Sequence, residues 1–123
     1  MIKLVFNLHR RADVEPAEFH RYWKDEHGPL VRSVGEVLGI HRYVQSHTID
    51  TPFNDALRAS RDTEAAYDGV AELWWDSLDD LVARLADPEA QAASARLLED
   101  EGRFIDLART TIFLTEEHEV IPG

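Results

Sequence analysis

Apolar and polar residues alternate along IKLVFNLH, residues 2–9, which places every second side chain from Ile2 to Leu8 on one apolar face. This period of two predicts a β-strand, whose other face is mixed and carries Asn7. Three further segments with strand character follow, at residues 40–49, 70–76 and 104–115. The pattern therefore predicts four strands in all.

A helical period replaces the alternation after the first strand. Pro16 suits the first position of a helix. At about 100° per residue, Phe19, Trp23 and Leu30 fall within a narrow arc, and His27 lies on the border of that arc. We therefore predict an amphipathic first helix that buries its aromatic residues and keeps His27 at the edge of the buried face.

Pro29 interrupts this helix within the sequence HGPLV. Proline cannot donate the hydrogen bond that would reach back four residues, so the helix is expected to bend or stop there. The negative end of a helix favours the protonated form of a nearby histidine, which here is His27. The segment VRSVGEVLG is expected to resume the helix until Gly39 ends it.

The second half of the chain combines a polar connection with two helical segments. Residues 50–67, which contain Pro52, Asn54 and three Asp residues, are predicted to form a long irregular connection, of the kind that covers a site or is disordered. Ser77 with Asp80 resembles a capping box for a helix over LDDLVARLAD. The pair Asp87-Pro88 ends that helix and starts another helical run, which extends to about Leu98.

The resulting order, β-α-β-β-α-β with the second helix in two pieces, is that of the ferredoxin-like fold. We predict a single α+β domain over residues 1–123, with a four-stranded antiparallel sheet and its helices on one face. The first and fourth strands are apolar on both sides, so the second face of the sheet is expected to be buried as well. In a domain this small the expected cover is a second copy of the chain, which predicts a homodimer through the sheet face.

Composition and charge exclude several classes of function. The net charge of -11 at pH 7 opposes binding to a nucleic-acid backbone or to an anionic membrane surface. The absence of cysteine excludes disulfides, thiolate metal sites and cysteine nucleophiles. No segment has the pattern of a signal peptide or the length of a membrane span, so we expect a cytoplasmic protein.

Six histidines suggest a metal site, but their spacing argues against one. His41 and His47 lie six residues apart on one strand, which separates them by roughly 20 Å. His20 and His27 lie two helical turns apart, about 10 Å. The chain also has no glycine-rich phosphate loop and no nucleophile motif. We therefore expect neither a metal nor another cofactor.

Hydrogen-bonding residues set among aromatic ones are the remaining candidates for chemistry. They are His27 after Trp23, Tyr43 with His47, and Glu72 with Trp74. This composition is typical of an apolar pocket with a few oriented polar groups, where a histidine can move a proton near neutral pH. Taken alone, each residue also has a plain structural interpretation. A histidine at a helix end is more often a cap, and buried tyrosine and tryptophan are by default core residues.

Four blocks of the sequence carry a resemblance to a known family. They are FHRYWKDEHGPLV, IHRYVQSH, YDGVAELWWDS and FIDLARTTIFLTEEHEVI, which cover nearly the whole chain in order. In these blocks the chain resembles the EthD-like proteins of the dimeric α/β-barrel group. The resemblance implies a ferredoxin-like fold whose sheets pair back to back in a dimer, with a cleft between sheet and helices in each subunit. The group includes muconolactone-type isomerases, polyketide cyclases, decarboxylases or dehydratases, and cofactor-free monooxygenases.

The resemblance implies an acid or base role for His27 and makes Tyr43 and His47 candidates for pocket positions. We hypothesise a cofactor-independent lyase or isomerase of a catabolic or polyketide-type pathway, acting on a small hydrophobic cyclic or aromatic carbonyl compound. His27 would move a proton α to the carbonyl, while Tyr43 and His47 bond the developing enolate oxygen. The predicted catalytic residues are His27, His47 and Tyr43, and the predicted substrate-binding residues are Trp23, Asn7, Glu72 and Trp74. Two alternatives stay open, a cofactor-free monooxygenase and a non-catalytic protein that binds a hydrophobic metabolite.

Overall fold

The computed structural model describes all of residues 1–123. Its elements follow in the order β1 (Ile2–Leu8), α1 (Pro16–Tyr22), a π turn (Trp23–His27), α2 (Gly28–Leu38), β2 (Arg42–His47), α3 (Pro52–Arg61), β3 (Gly69–Trp75), α4 (Leu78–Leu85), α5 (Pro88–Glu101), a 3₁₀ turn (Leu107–Arg109) and β4 (Thr111–Glu116). The strands form one sheet in the order β2-β3-β1-β4, and every neighbouring pair is antiparallel. This confirms the predicted α+β, ferredoxin-like plan.

The two faces of the sheet differ in what covers them. Leu4 of β1 pairs with Leu73 of β3 and Leu114 of β4, so apolar side chains of three strands lie side by side. We call this the inner face, and the opposite one the outer face. On the inner face, residues of β1, β3, α1, the π turn and the segment after α5 form one core cluster, which contains Leu8, Phe19, Trp23, Ala71, Phe104 and Ile105. A second cluster joins α2 to α5 and contains Val31, Val34, Leu38, Ala90, Ala93 and Leu97.

The first helix does not stop at the Gly-Pro pair but passes from α1 into α2 through the π turn. The N–H of Gly28 donates to the carbonyl of Trp23, five residues back, so this turn holds one residue more than an α-helical turn. In a regular α-helix, a residue and the one four positions later differ by about 40° in direction around the helix axis, so a row of such residues drifts around the helix. The wider turn offsets that drift and keeps Phe19, Trp23, His27 and Val31 on the buried face.

The π turn corrects two expectations from the sequence. His27 is only 4% exposed and lies on the buried face rather than at its border. Pro29 falls in the first turn of α2, directly after the π turn, and the helix continues past it instead of stopping there. Gly39 does end the helix, as predicted, in the left-handed conformation with a φ of 72°.

The prediction of an irregular connection over residues 50–67 was wrong, because this segment contains α3. The side-chain oxygen of Thr51 accepts from the N–H of Phe53, and Pro52 occupies the first turn. Phe53 and Leu57 are 77% and 62% exposed, so α3 lacks the buried stripe by which a helix is recognised in a sequence. The only sequence features that indicate α3 are its cap, Thr51, and the proline that follows, and the polar residues around them resemble those of a loop.

The N-terminal caps of α4 and α5 lie where the sequence predicts them. The Oγ of Ser77 accepts from the N–H of Asp80 at 3.1 Å, and the Oδ2 of Asp87 accepts from the N–H of Ala90 at 3.3 Å. Each cap satisfies an N–H that has no partner inside its helix. The two caps therefore fix where both helices enter the layer above the sheet.

The strand β4 begins later, and α5 ends later, than the hydrophobic pattern predicts. Phe104 and Ile105 are buried, yet they follow the end of α5 instead of belonging to a strand. Their N–H groups donate to the carbonyl of Glu101, which holds them against the last turn of the helix. The apolar run over residues 104–115 thus has two parts. Phe104 and Ile105 are core residues of the connection after α5, and the strand starts only at Thr111.

Candidate active site

A cavity of about 540 Å³ lies between the inner face of the sheet and the helices. Of its 25 lining residues 20 are hydrophobic, so its interior suits an apolar ligand. The strands supply one wall, and the π turn, α2, α4 and α5 supply the rest. The hydrogen-bonding side chains in this lining include those of His27, Tyr43 and Glu101.

The cavity opens to solvent at the edge of the sheet that β4 forms. Leu85, Leu98, Ile112 and Leu114 line the cavity and are nevertheless 45% to 64% exposed. They come from α4, α5 and β4, so the opening lies between these elements. His27, which is 4% exposed, is more deeply buried than these four residues.

His27 is held by a carboxylate from the last turn of α5. Its Nδ1 lies 2.7 Å from Oδ2 of Asp100. The second oxygen of that carboxylate, Oδ1, accepts a hydrogen bond of 2.5 Å from the hydroxyl of Tyr22. Asp100 therefore joins α1, the π turn and α5 at one point and fixes the orientation of the imidazole ring.

The contact with Asp100 also decides which nitrogen of His27 carries the proton. An ionised carboxylate can only accept, so Nδ1 of His27 donates and Nε2 of the neutral ring is the unprotonated nitrogen. Nε2 makes no hydrogen bond, and no buried side-chain nitrogen or oxygen lacks a partner, so Nε2 reaches accessible space. Since His27 lines the cavity, that space is the cavity, and Nε2 is available as a base.

Burial lowers the pKa of His27, and the hydrogen bond and charge of Asp100 only partly oppose this effect. The sequence predicted the opposite, a helix end that favours the protonated ring. That expectation was wrong because the helix continues through the π turn and leaves no negative end beside His27. The ring is consequently neutral at pH 7, which is the form that can take up a proton.

Tyr43 lines the cavity from β2 and is positioned by Gln45. The Nε2 of Gln45 donates to the hydroxyl oxygen of Tyr43 at 2.9 Å and to the carbonyl of Trp23 at 2.8 Å. The hydroxyl proton of Tyr43 is then free to point at a ligand. Burial raises the pKa of Tyr43, so the hydroxyl keeps this proton at neutral pH.

His47 lies behind this arrangement and does not line the cavity. Its ring packs on that of Trp23, with centroids 4.2 Å apart. Its Nε2 lies 2.8 Å from Oε1 of Gln45, and its Nδ1 lies 2.7 Å from Nδ1 of His20. The amide oxygen of Gln45 accepts only, so Nε2 of His47 is the donor and Nδ1 of His47 accepts from His20. His47 therefore acts on the cavity through Gln45 and Trp23.

Glu101 brings a carboxyl group into the apolar lining. It is the last residue of α5 and directly follows Asp100. Burial raises the pKa of Glu101 to about 7, and the charge of Asp100 adds to this effect. The group thus changes its protonation state within the physiological range, as acid and base groups of active sites commonly do.

Asn7, Glu72 and Trp74 lie on the outer face and do not line the cavity. Glu72 pairs with Lys3 at 2.7 Å. Trp74 is 6% exposed, with the cations of Lys3 and Arg42 5.5 Å and 4.7 Å from its rings. The structure thus differs from the prediction that these three residues share a pocket with His27, because side chains alternate along a strand and theirs point to the outer face.

Asp100 and Glu101 are site residues that the sequence-based list omits. A signal for them exists in α5, where Ala90, Ala93 and Leu97 form the buried stripe at helical spacing. The next positions on that stripe are Asp100 and Glu101. Ionisable side chains that continue a buried apolar stripe are unusual and indicate a functional site.

No group of three or more His, Asp or Glu side chains in the chain is arranged to hold a metal ion. None of the helices combines the length and the apolar character that crossing a bilayer requires.

Three solved structures are similar to this fold. An EthD family protein from Bacillus halodurans is 19% identical, with a TM-score of 0.62, and the match covers 96% of this chain and 99% of that one. A dimeric protein of unknown function and ferredoxin-like fold from Bacteroides fragilis is 13% identical, with a TM-score of 0.59 and coverage of 94% and 95%. SnoaB, a cofactor-independent oxygenase from Streptomyces nogalater, is 14% identical, with a TM-score of 0.57 and coverage of 99% and 97%. At these identities the likeness shows the fold alone.

Family membership comes from the sequence. No curated protein matches the chain. The EthD domain family, however, matches residues 11–108, which include the π turn, β2, β3 and the Asp100–Glu101 pair. This confirms the resemblance to the EthD-like proteins. The chain belongs to the EthD domain family.

Proposed function

We propose that the protein is a cofactor-independent lyase or isomerase that moves a proton on a small hydrophobic cyclic or aromatic carbonyl compound. One observation carries the proposal. His27, oriented by Asp100, presents an unbonded Nε2 to a cavity whose walls are mostly apolar. A neutral histidine in such a position can take a proton from carbon and return it elsewhere.

The reaction begins when Nε2 of His27 removes a proton from the carbon next to the carbonyl group. The imidazolium that forms is stabilised by the ionised Asp100, 2.7 Å from Nδ1. The hydrogen bond from Tyr22 holds this carboxylate in place. Return of the proton to a different carbon gives an isomer, and loss of a leaving group from the enolate gives the product of a lyase.

Tyr43 of β2 and Trp23 of the π turn complete the site. The hydroxyl of Tyr43 donates to the carbonyl oxygen of the ligand, because its own oxygen already accepts from Gln45. The ring of Trp23 provides an apolar wall for the ring of the ligand. His47, which we expected to touch the ligand, is instead a positioning residue that acts through Gln45.

We also infer that two copies of the chain pair through the outer face of the sheet. The helices lie on the inner face, and the outer face carries Val5, Val44 and Val70 beside Phe113, which is 47% exposed. A structure similar in fold is described as a dimer. Native mass spectrometry of the purified protein tests the pairing, and a Phe113→Glu variant is expected to shift the dimer mass to that of the monomer.

Cofactor-free oxygenation is the second candidate function, since SnoaB, a cofactor-independent oxygenase, has a similar fold. The same base would form a carbanion that reacts with oxygen and not with a proton. Consumption of oxygen during turnover separates the two functions. An oxygen electrode reading that stays flat while protons are exchanged supports the lyase or isomerase.

Hydrogen–deuterium exchange of 2-tetralone in D₂O tests the proposed proton transfer. This compound is a bicyclic aromatic ketone with exchangeable hydrogens next to its carbonyl. The wild type is expected to accelerate exchange above the rate in buffer, as measured by proton NMR. Substitution His27→Gln is expected to lower the accelerated rate roughly 100- to 10,000-fold, the range that a positioned base contributes.

His41→Gln is the matched control for this experiment. The side chain of His41 is 55% exposed and does not line the cavity, so this variant removes a histidine and should keep the wild-type exchange rate. Binding of 2-tetralone by the wild type without any acceleration of exchange would contradict the proposal and favour the non-catalytic binding protein.

A further inference from the structure

Glu101 occupies an unusual position in the cavity wall. Its backbone is fixed, because its carbonyl accepts hydrogen bonds of 3.2 Å and 2.9 Å from the N–H groups of Phe104 and Ile105. Both of those residues are buried in the core. The side chain of Glu101 therefore projects into the cavity from a rigid part of the fold.

The carboxyl group of Glu101 has no partner within the protein. It makes neither a hydrogen bond nor an ion pair, and no buried side-chain oxygen is left unsatisfied, so its oxygens face accessible space. The two basic side chains of the lining are engaged, since His27 bonds Asp100 and Arg84 donates to the carbonyl of Val37 at 3.1 Å. A carboxyl group without a protein partner in an apolar wall is suited to a ligand.

Several titratable groups surround Glu101 and determine its charge. Asp100 precedes it on α5, Tyr43 faces it from β2, and His27 and Arg84 line the same cavity. Burial has the largest effect and raises the pKa of Glu101 to about 7, and Asp100 adds to it. The carboxyl group is thus protonated in a large share of the molecules at neutral pH and can donate a hydrogen bond.

We propose that Glu101 is a second proton-transfer group of this cavity, whose carboxyl group donates to the carbonyl oxygen of the ligand while His27 acts on the neighbouring carbon. The inference rests on the proposed function and deepens it, because it specifies the ligand class. The ligand has a neutral carbonyl that can enolise, with an apolar body. A ligand whose only oxygens belong to an ionised carboxylate would bring its charge into an apolar cavity beside the charge of Asp100 and is not expected to bind here.

The two groups together balance the charge of the reaction. Nε2 of His27 takes the proton from carbon, the carbon–hydrogen electron pair forms the enol double bond, and the carbonyl oxygen takes the proton of Glu101. A neutral ring and a neutral carboxyl group become an imidazolium and a carboxylate, while the ligand changes from ketone to enol. No uncompensated charge forms in the apolar cavity, where it would be costly.

Binding of 2-tetralone and of tetralin, which lacks the oxygen, tests the assignment. Isothermal titration calorimetry gives both dissociation constants at pH 5.5 and pH 8.5. In the wild type, the preference for 2-tetralone over tetralin is expected to fall roughly 3- to 10-fold at the higher pH, as one hydrogen bond is lost. Glu101→Gln should keep the low-pH preference at both pH values, because its amide still donates.

Two further variants complete the comparison. Glu101→Leu should show the reduced preference at both pH values, because leucine cannot donate. Glu99→Gln removes a carboxylate from the same helical turn whose side chain is 76% exposed, and it should behave as the wild type. A wild-type preference that does not change with pH, a Glu101→Leu variant that retains the preference, or no binding of 2-tetralone would each overturn the proposal.

Measuring both the binding and the hydrogen exchange of 2-tetralone distinguishes a failure of this inference from a failure of the proposed function. Proton delivery by Glu101 predicts that Glu101→Gln exchanges the hydrogens of 2-tetralone roughly 10- to 100-fold more slowly at pH 6, although it still binds the ketone. If exchange depends on His27 while the binding preference ignores Glu101, the inference fails and the proposed function stands. If the preference follows Glu101 but the wild type does not accelerate exchange, the proposed function fails and Glu101 remains a ligand-binding group only.

Discussion

The Nδ1 of His27 and the Oδ2 of Asp100 lie 2.7 Å apart, although 73 positions separate the two residues in the chain. The contact joins the π turn to the last turn of α5. Asp100 favours the protonated ring, but burial has the larger effect and lowers the pKa of His27. The pair therefore keeps His27 neutral and oriented, which is what a base requires.

Substitution Asp100→Asn is expected to lower the pKa of His27 further, because it removes the charge that opposes burial. The imidazolium formed during proton transfer would also lose its stabilising partner. We expect the exchange rate of 2-tetralone to fall roughly 10- to 1,000-fold, within the contribution of a positioned acid or base. An NMR titration of the imidazole nitrogens measures the pKa, and proton NMR measures the exchange.

Tyr22→Phe is the control for this substitution. It removes the hydrogen bond to Oδ1 of Asp100 and leaves the contact with His27 in place. We expect this variant to lose less than about 10-fold in exchange rate, the effect of one hydrogen bond. The assignment of Asp100 would be refuted if Asp100→Asn left both the pKa of His27 and the exchange rate unchanged.

The stability of the fold should depend on pH through Glu101. Its pKa is about 7 in the folded protein, above the ordinary value of 4.5, so the folded state holds this proton more tightly than the unfolded chain does. The stability due to the neutral carboxyl group is fully present below pH 4.5 and is lost as the pH rises through 7. Glu101→Gln cannot ionise, so its stability relative to the wild type should increase over this window, by on the order of 3 kcal/mol.

Urea unfolding at pH 4.5 and pH 8.5 measures this difference. Glu99→Gln, which changes an exposed carboxylate on the same helix, should show no such increase. A Glu101→Gln variant whose relative stability is the same at both pH values would show that Glu101 is not a buried carboxyl group.

The hydrogen bonds of Gln45 predict the tautomers of two histidines. Gln45 donates to Trp23 and Tyr43, so its oxygen must accept from Nε2 of His47, and Nδ1 of His47 must accept from His20. Long-range proton–nitrogen NMR at neutral pH should find His47 protonated at Nε2 and His20 protonated at Nδ1. Finding His47 protonated at Nδ1 would contradict the described network.

His47 should matter less than His27 for proton transfer, since it does not line the cavity. His47→Ala is expected to slow the exchange of 2-tetralone less than about 10-fold, because it only weakens the positioning of Gln45 and Tyr43. A loss as large as that of His27→Gln would mean that His47 touches the ligand.

The alternation of apolar residues was enough to predict the four strands and the ferredoxin-like order, because each strand buries one face. It was not enough to decide which face the helices cover. Consecutive residues of a strand point to opposite faces, and Val5 and Phe6 of β1 are both apolar, as are Leu73 and Trp74 of β3. The sequence therefore does not indicate which face of either strand is exposed to solvent. The sequence pattern therefore predicts a pocket position for Trp74, whose side chain lies on the outer face in the structure.

The chemistry around His27 depends on contacts that no local pattern contains. A period of 3.6 residues places His27 at the border of the buried face, and only the extra residue of the π turn moves it inward. Asp100 meets His27 because α5 crosses the π turn in the folded chain, and the sequence separation conceals this. The buried stripe of α5, which continues into Asp100 and Glu101, is the one signal that the sequence does provide.

Gly69 is required at the start of β3 by the ring of Trp23. A Cβ atom on Gly69 would overlap Cζ3 of Trp23 and would lie 2.9 Å from the carbonyl oxygen of Ser46, and both contacts are too short. Gly69→Ala should therefore push the indole into the cavity or separate β2 from β3. We expect a loss of about 1–3 kcal/mol in the free energy of unfolding, the usual cost of overpacking a core, and weaker binding of 2-tetralone. Urea unfolding and calorimetry measure the two effects.

Gly35→Ala is the matched control, because a Cβ atom at Gly35 has no heavy atom within 4 Å. Gly35 lies inside α2, where alanine is favoured over glycine by roughly 0.5–1 kcal/mol, so this variant should be more stable than the wild type. The same substitution thus has opposite signs at two positions, since packing decides one and helix propensity the other. If Gly69→Ala were as stable as Gly35→Ala, Trp23 could move without cost, and the cavity wall at the π turn would not be rigid enough to orient His27.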